Sequence, residues 1–245
     1  MKEKCLVAVS IGEEYNTQTD KMAESFAKHN PDWDICKFYD ADLECLLPPQ
    51  CHSWSAFDKC ELGRWIAVRM ALEQHQTAVY SDGDIQWYAP YQTSNRAMTL
   101  FPHCVTKSAQ ERRRHFLWKD GYANIGIFEV CQKEDTDKIF EFIIGEVMRN
   151  SNEYIKHGTL WLQPIVSFTT NLYDVGYNMD AGYDVAFWNL FTGDREVVMW
   201  NGKRMVGTNE NKLYDLVSFH FSAKSLHKLE GFGEVVKELK KEYLA

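Results

Sequence analysis

The chain has 245 residues, of which 45% are hydrophobic and 25% are charged, so its composition predicts a packed globular domain. The formal net charge of -8 argues against a general nucleic-acid binder, because phosphate contacts need a basic surface. No apolar run reaches the roughly 18 residues of a membrane span, and no cleavable signal pattern is present, so we expect a cytoplasmic protein without a transmembrane segment.

Seven cysteines are scattered along the chain without the paired spacing of metal ligands. This pattern predicts free thiols in a reducing compartment rather than a disulfide framework, and it indicates no zinc site. One basic run, Arg112-Arg113-Arg114-His115, is too short to reverse the acidic balance and is predicted to be a solvated face.

The first part of the chain alternates short apolar runs with helical patterns. In chain order, we predict a buried strand at residues 5–11, a polar loop at 12–19, a helix at 20–29, a strand at 34–39, a helix at 59–74 and a strand that ends at Asp82. Such alternation predicts a mostly parallel sheet with helices on both faces.

The pattern changes after residue 90. We predict strands at 98–105 and 123–130, a helix at 135–149, short strands at 183–189, 197–200 and 216–221, and a charged helix at 232–243. No internal repeat, low-complexity tract or linker interrupts the chain, so residues 1–245 are predicted to form a single domain.

The strand that begins at Thr77 leads directly into two carboxylates, Asp82 and Asp84, separated by one glycine. Ligands of α/β proteins bind at the carboxyl ends of strands, and two adjacent carboxylates repel each other unless a cation lies between them. Magnesium and manganese are often held by one or two carboxylates together with phosphate oxygens. The segment therefore suggests a metal-bridged phosphate ligand, although a solvated Asp-Gly-Asp turn is an equally open interpretation of the motif alone.

A set of local motifs occurs in a fixed order along the chain. The motifs are Tyr80-Ser81-Asp82-Gly83-Asp84-Ile85, Asn124-Ile125-Gly126-Ile127, Trp161-Leu162-Gln163-Pro164 and Phe219-His220-Phe221-Ser222. This order resembles the nucleotide-sugar-dependent glycosyltransferases of the GT-A fold, in particular the branch related to glycogenin and the bacterial lipopolysaccharide galactosyltransferases. The segment Gly182-Tyr183-Asp184-Val185-Ala186-Phe187-Trp188-Asn189-Leu190 is also similar to a Gly-Tyr-Asn-Val-Ala-Tyr-Trp-Asn-Leu signature of some bacterial and viral members.

The resemblance implies both a fold and an activity. The fold would be α/β of the GT-A (Rossmann-like) type, a mixed, mostly parallel sheet flanked by helices, with residues 1–90 as the nucleotide-binding half and 91–245 as the acceptor-side half. The activity would be metal-dependent transfer of a sugar from a nucleoside-diphosphate sugar, with UDP as the favoured nucleotide, to a hydroxyl of a glycan or glycolipid.

The resemblance also implies a metal site and a donor-sugar site. Asp82, Asp84 and His220 would bind Mn²⁺ or Mg²⁺, and Asn124 and Gly126 would contact the donor sugar. From the residues alone, a histidine flanked by phenylalanines is more often a hydrogen-bonded core residue, so the ligand role of His220 rests on the resemblance.

Further donor contacts are expected on the nucleotide side. Tyr15 would stack on the base, Asp40 would contact the ribose or base, and Lys59 or Arg64 would contact the diphosphate. Lys224 lies closer in sequence to the histidine than the family's diphosphate-binding lysine does, but is also predicted to reach a phosphate.

The catalytic residues implied by the resemblance are less regular. Gln163 would lie beneath the reacting anomeric carbon, yet Leu162 stands where the family has an acid, and Ala223 replaces a family glycine. Retention of anomeric configuration is the prediction that follows from Gln163. An inverting enzyme would need a base near the acceptor, for which Asp184, in place of the family's asparagine, and Asp180 are candidates.

Two other classes of function stay open. Haloacid-dehalogenase-type phosphatases also place Asp-x-Asp after an apolar strand, but they require Thr or Val two residues past the second acid, where this chain has Gln86. The other class is a non-catalytic module of the GT-A fold that binds a glycan or nucleotide, and Leu162 keeps that alternative open.

Overall fold

A computed structural model describes residues 2–156 and 162–245, without the side chains of residues 118–120, 152–156, 223 and 224. The elements are β1 (Lys4–Ser10), α1 (Glu13–His29), β2 (Asp34–Tyr39), α2 (Asp40–Leu46), α3 (Ala56–Ala71), β3 (Thr77–Ser81), β4 (Ile85–Trp87), β5 (Met98–Pro102), α4 (Lys107–Arg112), α5 (Arg114–Asp120), β6 (Ala123–Cys131), α6 (Thr136–Lys156), α7 (Gln163–Phe168), β7 (Val175–Tyr177), β8 (Val185–Ala186), α8 (Phe187–Phe191), β9 (Arg195–Trp200), β10 (Lys203–Thr208), β11 (Leu213–Asp215), β12 (Ser218–His220) and α9 (Glu234–Leu244). Short 3₁₀ turns occur at Pro49–Cys51, Thr169–Asn171 and Ala223–Gly231.

A six-stranded sheet in the order β2-β1-β3-β6-β5-β7 forms the centre of the fold. Strand β1 pairs in parallel with β2 and β3, and β5 pairs in parallel with β7, whereas β6 runs antiparallel to β3 and β5. Two three-stranded sheets, β11-β10-β9 and β4-β12-β8, are built from the remaining strands. The predicted mixed, mostly parallel sheet is confirmed.

Helices cover both faces of the central sheet. Successive residues of β1 point to opposite faces, so they pack against different helices. Cys5, Val7 and Val9 belong to the same buried cluster as the apolar residues of α3, and Leu6 and Ala8 belong to the cluster that contains the apolar residues of α1. Nearly every residue of β1 is buried, as expected for a strand covered on both faces.

An aromatic stack links α3 to the sheet. The ring of Trp65 on α3 stacks on Phe128 of β6, with 4.2 Å between centroids, and Phe128 in turn stacks on Tyr80 of β3 at 5.0 Å. All three rings are buried. The hydroxyl of Tyr80 donates a hydrogen bond to Asp82 at 2.7 Å, so this part of the core holds the first carboxylate of the Asp-x-Asp motif.

The predicted polar loop at residues 12–19 is wrong, because α1 begins at Glu13. Gly12 turns the chain at a positive φ of 100°, and its carbonyl accepts the first helical hydrogen bond from the amide of Asn16. Two glutamates in the first turn interact favourably with the helix dipole. Tyr15 therefore lies on the first turn of a helix rather than on a loop.

The predicted strand at residues 183–189 is also largely wrong. Only Val185–Ala186 is extended, and α8 follows at once because the side chain of Asn189 accepts a hydrogen bond from the amide of Ala186. The strand predicted at 98–105 ends early, at Pro102. The strand predicted at 34–39 is present with the same bounds, and the remaining predicted strands and helices are present with shifted ends. The helices α2, α4, α5, α7 and α8 and the strands β4, β7, β10 and β11 had no predicted counterpart.

Among the described residues, no helix combines the length and the apolar character that crossing a membrane requires.

Replacing Trp65 with alanine should lower the free energy of unfolding by about 3–5 kcal/mol, because it empties a buried position against Phe128. Met70→Ala, on the exposed side of the same helix, is the matched control and should change the free energy by about 0.5 kcal/mol or less. Urea titration followed by circular dichroism measures both. Equal effects of the two substitutions would contradict the assigned core.

Candidate active site

The pairing of three short strands places His220 between two acids. His220 is the last residue of β12, which pairs with β4 on one side and β8 on the other, opposite Ile85 and Ala186 respectively. Asp84 immediately precedes β4, and Asp184 immediately precedes β8. Consequently Nε2 of His220 lies 3.1 Å from Oδ1 of Asp84, and Nδ1 lies 3.1 Å from Oδ1 of Asp184.

Asp82, Asp84 and His220 form a cluster with the composition of a metal site. One ligand atom of each lies within 4.8 Å of the others. A β-carbon on Gly126 would lie 3.1 Å from both Oδ2 of Asp82 and Cε1 of His220, so the absence of a side chain there leaves room for the cluster. Two carboxylate oxygens and an imidazole nitrogen are donors that fit Mn²⁺ or Mg²⁺. The structure thus brings together the three residues that the resemblance implied as ligands.

The charges of the cluster are strongly coupled. Burial raises the pKa of Asp82, and the neighbouring Asp84 adds to the rise, against the opposing charge of Arg64, whose Nη1 lies 3.5 Å away. Burial also acts to raise the pKa of Asp84, but the charge and hydrogen bond of His220 outweigh it and lower that pKa. Burial acts to lower the pKa of His220, but the two neighbouring carboxylates outweigh it and hold that pKa well above its ordinary value.

Asp184 is a buried positioning residue rather than a free carboxylate. Its side chain accepts hydrogen bonds from Nδ1 of His220 and from the amide of Asn124, and it is 2% exposed. Its own backbone amide donates to the hydroxyl of Ser218. A metal-binding histidine generally has its second ring nitrogen fixed by a carboxylate or carbonyl, and the contact between Asp184 and Nδ1 of His220 has this form.

Two cavities border the cluster. The first, here called the α1 cavity, has a volume of about 310 Å³ and is lined by Asp82, Asp84, Tyr15, Phe57 and Arg64, among others. The second, the α8 cavity, has a volume of about 390 Å³ and is lined by residues that include Asn124, Gln163, Asp184, Trp188 and His220. The cluster therefore contributes side chains to the walls of both cavities.

The predicted nucleotide-side residues are only partly brought together. Tyr15 and Arg64 line the α1 cavity, and Tyr15 is 58% exposed. Asp40 does not line it, because its carboxylate accepts hydrogen bonds from the amide of Gly12 at 2.9 Å and from the side chain of Asn16 at 2.6 Å. Lys59 is likewise outside the lining and is paired with Glu44.

Arg64 is buried and bound on several sides. It pairs with Glu61 on the preceding turn of α3 and donates to the carbonyl of Ile125 at 3.0 Å, in addition to its contact with Asp82. Its guanidinium also lies over the ring of Tyr80. These contacts hold the positive charge of Arg64 next to Asp82, where it offsets the negative charge of the carboxylates in the cluster.

The α8 cavity contains residues that sequence reasoning missed. Oε1 of Gln163 lies 3.0 Å from Nε2 of His103, a histidine whose pKa is lowered mainly by burial. His103 directly follows the end of β5, a position at which the strand-end rule could have identified it.

An aromatic rim with two cations borders this cavity. Trp188 is 50% exposed, and the cations of Arg113 and Lys228 lie 5.6 and 6.0 Å from the centroid of its ring. Arg113 also lies over Phe116 at 4.2 Å. The predicted solvated face at residues 112–115 is therefore wrong for Arg113, which is partly buried and lines the cavity.

Leu162 and Gly121 both shape the chain around Gln163. Leu162, at the place of the family's acid, is buried in the main core cluster and supplies no polar group. The side chain of Lys224 and the whole of residue 161 lie outside the described part of the chain. Gly121, at a positive φ of 90°, turns the chain so closely to Gln163 that a β-carbon would lie 2.8 Å from the backbone of that residue.

Comparisons with known proteins agree with the fold. No family model and no curated protein sequence matches the chain. The galactosyltransferase LgtC, solved with donor and acceptor sugar analogues, has a similar structure at 12% identity, with a TM-score of 0.56 over 97% of this chain and 95% of that one. The glycosyltransferase GlyE of Streptococcus pneumoniae TIGR4 gives 12% identity and a TM-score of 0.59, and the match covers 99% of this chain and 60% of GlyE.

A third glycosyltransferase structure is similar at lower sequence identity. Mouse xyloside xylosyltransferase 1 is 9% identical, with a TM-score of 0.50 over 90% of this chain and 98% of that one. Together these structures show that the protein has the GT-A fold, as the order of its motifs predicted.

Replacing Asp184 with asparagine should weaken Mn²⁺ binding about 10- to 100-fold, the usual effect of losing a residue that orients a metal-binding histidine. The new amide would place an NH₂ group against the NH₂ group of Asn124 or against Nδ1–H of His220. Asp180→Asn is the matched control, since its carboxylate accepts from the amide of Gly182 and does not contact His220. Calorimetry measures the affinities, and an unchanged value for Asp184→Asn would contradict the positioning role.

Proposed function

We propose that the protein is a divalent-metal-dependent glycosyltransferase. It would move a sugar from a nucleoside-diphosphate sugar, with UDP as the favoured nucleotide, to a hydroxyl of a glycan or glycolipid. Fold alone does not define an activity, so the proposal rests on the site. The observation that carries it is the cluster of Asp82, Asp84 and His220 on the shared border of two cavities.

The cluster suits a diphosphate leaving group. A bound Mn²⁺ or Mg²⁺ ion, held by Asp82, Asp84 and His220, would act as a Lewis acid that stabilises the charge developing on the leaving diphosphate. Arg64 keeps a positive charge behind Asp82, and Asp184 fixes the ring orientation of His220. These fixed charges and hydrogen bonds preorganise the site before the donor binds.

The α1 cavity is the proposed nucleotide site. Tyr15 and Phe57, which are 58% and 48% exposed, present flat apolar surfaces on its wall, and such surfaces favour stacking with a nucleobase. The cavity lies within residues 9–84, in keeping with the predicted nucleotide-binding half at 1–90. The ammonium group of Lys59 is paired with Glu44, so Arg64 is the more suitable of these two residues for a contact near the diphosphate.

The α8 cavity is the proposed site of the transferred sugar and the acceptor. If Oε1 of Gln163 accepts from His103, its amide NH₂ is left for a sugar oxygen. A glutamine is also the residue replaced by glutamate in an active-site mutant structure of LgtC. The exposed ring of Trp188 offers a face against which the apolar side of an acceptor sugar can pack.

The geometry favours retention of anomeric configuration over inversion. Both oxygens of Asp184 accept hydrogen bonds, and Asp180 is not among the residues that line the α8 cavity. Neither predicted base is therefore free to take a proton from an acceptor hydroxyl. Asn124, whose amide donates to Asp184, contributes to the donor-sugar site by fixing that carboxylate as well as by lining the cavity.

Replacing Asp84 with asparagine should reduce Mn²⁺-dependent release of UDP from a panel of UDP-sugars by at least about a hundredfold, because it removes a ligand charge from the cluster. Asp137→Asn, an exposed acid on α6, is the control and should leave the rate unchanged. Circular dichroism would show that both variants keep the fold. Full activity of Asp84→Asn would refute the metal assignment.

The same assay separates the alternative functions. A phosphatase of the haloacid-dehalogenase type would release phosphate from p-nitrophenyl phosphate without any nucleotide sugar. A non-catalytic module would bind UDP in a Mn²⁺-dependent manner, measured by calorimetry, without turnover of any donor. The first result would replace the proposed function, and the second would restrict it to binding.

A further inference from the structure

A second group of metal-ligating side chains lies near the amino ends of β1 and β2, away from the strand ends that carry the candidate active site. It consists of Cys5, Cys36 and His75, and one ligand atom of each lies within 4.8 Å of the others. These residues are far apart in the sequence, so no spacing pattern reveals them. The fold alone brings them together.

Strand register explains how the group forms. Cys5 on β1 pairs with Asp34 on the parallel strand β2, and residues two apart on a strand share a face. Cys5, Asp34 and Cys36 therefore share the face of the sheet that packs against α3. His75 lies four residues after the end of α3, and its Nε2 lies 3.1 Å from Oδ2 of Asp34.

The hydrogen bonds of His75 fix the orientation of its ring. Nδ1 lies 2.8 Å from the carbonyl oxygen of Ala71, which can only accept, so Nδ1 carries a proton. If the imidazole is neutral, Nε2 has a lone pair that faces the carboxylate of Asp34. Two acceptors at 3.1 Å require a proton or a metal ion between or beside them. A histidine with one ring nitrogen bound to a backbone carbonyl is the usual arrangement for a metal ligand.

We propose that Cys5, Cys36, His75 and Asp34 bind a zinc ion. Two thiolates, one imidazole and one carboxylate are all zinc donors, and thiolates select zinc over Mg²⁺ and Mn²⁺. Ligand atoms of tetrahedral zinc lie about 3.3–3.8 Å apart, given bond lengths of about 2.0–2.3 Å. The ligand atoms of Cys5, Cys36 and His75 lie within 4.8 Å of one another, and small side-chain rotations would bring them to that separation.

Access and proton balance are consistent with zinc binding. Cys5 and His75 are buried, whereas Cys36 and Asp34 are partly exposed and offer an entry route from solvent. Binding would release the protons of the two thiols as the sulfur–zinc bonds form, so no oxidant or reductant takes part.

The zinc ion would have a structural role. It would tie the edge strand β2 to β1 and to the chain that follows α3. Strand β2 leads into Asp40, whose carboxylate holds the amide of Gly12 at the start of α1. Zinc would thus stabilise the strand that supports one side of the α1 cavity, without contacting the proposed substrate.

Cobalt substitution tests the proposal on the intact protein. Reduced, chelator-treated protein titrated with Co²⁺ should develop a thiolate-to-cobalt charge-transfer band in the near ultraviolet, and Zn²⁺ should displace it at about one ion per chain. Cys36→Ser should weaken the band, because it removes one of the two thiolates, and His75→Gln should weaken zinc binding by at least about tenfold. Cys45→Ser, at an exposed cysteine of α2, is the matched control and should keep the band.

The outcomes are distinct from those of the proposed function. The oxygen and nitrogen donors of Asp82, Asp84 and His220 give no thiolate band, so Asp84→Asn should keep the band while losing transfer activity. Absence of the band in reduced wild-type protein, or a band of unchanged intensity in Cys36→Ser, would overturn the zinc site. A Cys5–Cys36 disulfide detected by mass spectrometry in protein that takes up no zinc would also overturn it.

Discussion

The shared hydrogen bonding of His220 is the interaction on which the candidate site depends. One imidazole contacts carboxylates through both of its nitrogens, and those carboxylates come from chain segments 100 residues apart, at Asp84 and Asp184. Strand β12 makes this possible, since it pairs with both β4 and β8, the strands that directly follow the two acids. Without that strand pairing, the Asp-x-Asp segment would be a turn at the end of β3 without its contact to His220.

The cluster of Asp82, Asp84 and His220 borders two cavities whose walls carry different chemical groups. The α1 cavity carries exposed aromatic rings and the buried charge of Arg64, whereas the α8 cavity carries amides, imidazoles and an aromatic rim. A donor that consists of a flat base, a charged diphosphate and a polar sugar has the same order of chemical groups. This correspondence, rather than the fold likeness at 12% identity, is the stronger argument for nucleotide-sugar chemistry.

Some features of the fold followed directly from the sequence, for physical reasons. Strands β1 and β3 are short runs of almost wholly buried residues, and apolar runs of that length have few other stable outcomes. The start of α1 was missed because its first turns are polar, since they face solvent and a cavity rather than the core. The start of α8 was missed because its aromatic residues suit a strand, and only the hydrogen bond made by Asn189 shows otherwise.

The candidate site shows the same division. Asp82, Asp84 and His220 were predicted because they belong to motifs, whereas His103, Arg113 and the group of Cys5, Cys36 and His75 depend on contacts between distant segments. The expected acid at Leu162 is absent, and the position is filled by core packing instead. Asp184 was predicted as a candidate base, and the structure adds hydrogen bonds to His220 and Asn124 that no sequence pattern could have shown.

The backbone of Asp184 adds a restriction on how this position can vary. Its φ of 48° lies in the left-handed region, which aspartate and asparagine adopt more readily than other residues that carry a β-carbon. A longer acid such as glutamate would keep the negative charge but would adopt this backbone angle less readily, and it would also have to fit a space that is almost fully enclosed. We therefore expect this position to vary between aspartate and asparagine in evolution, and not between aspartate and glutamate.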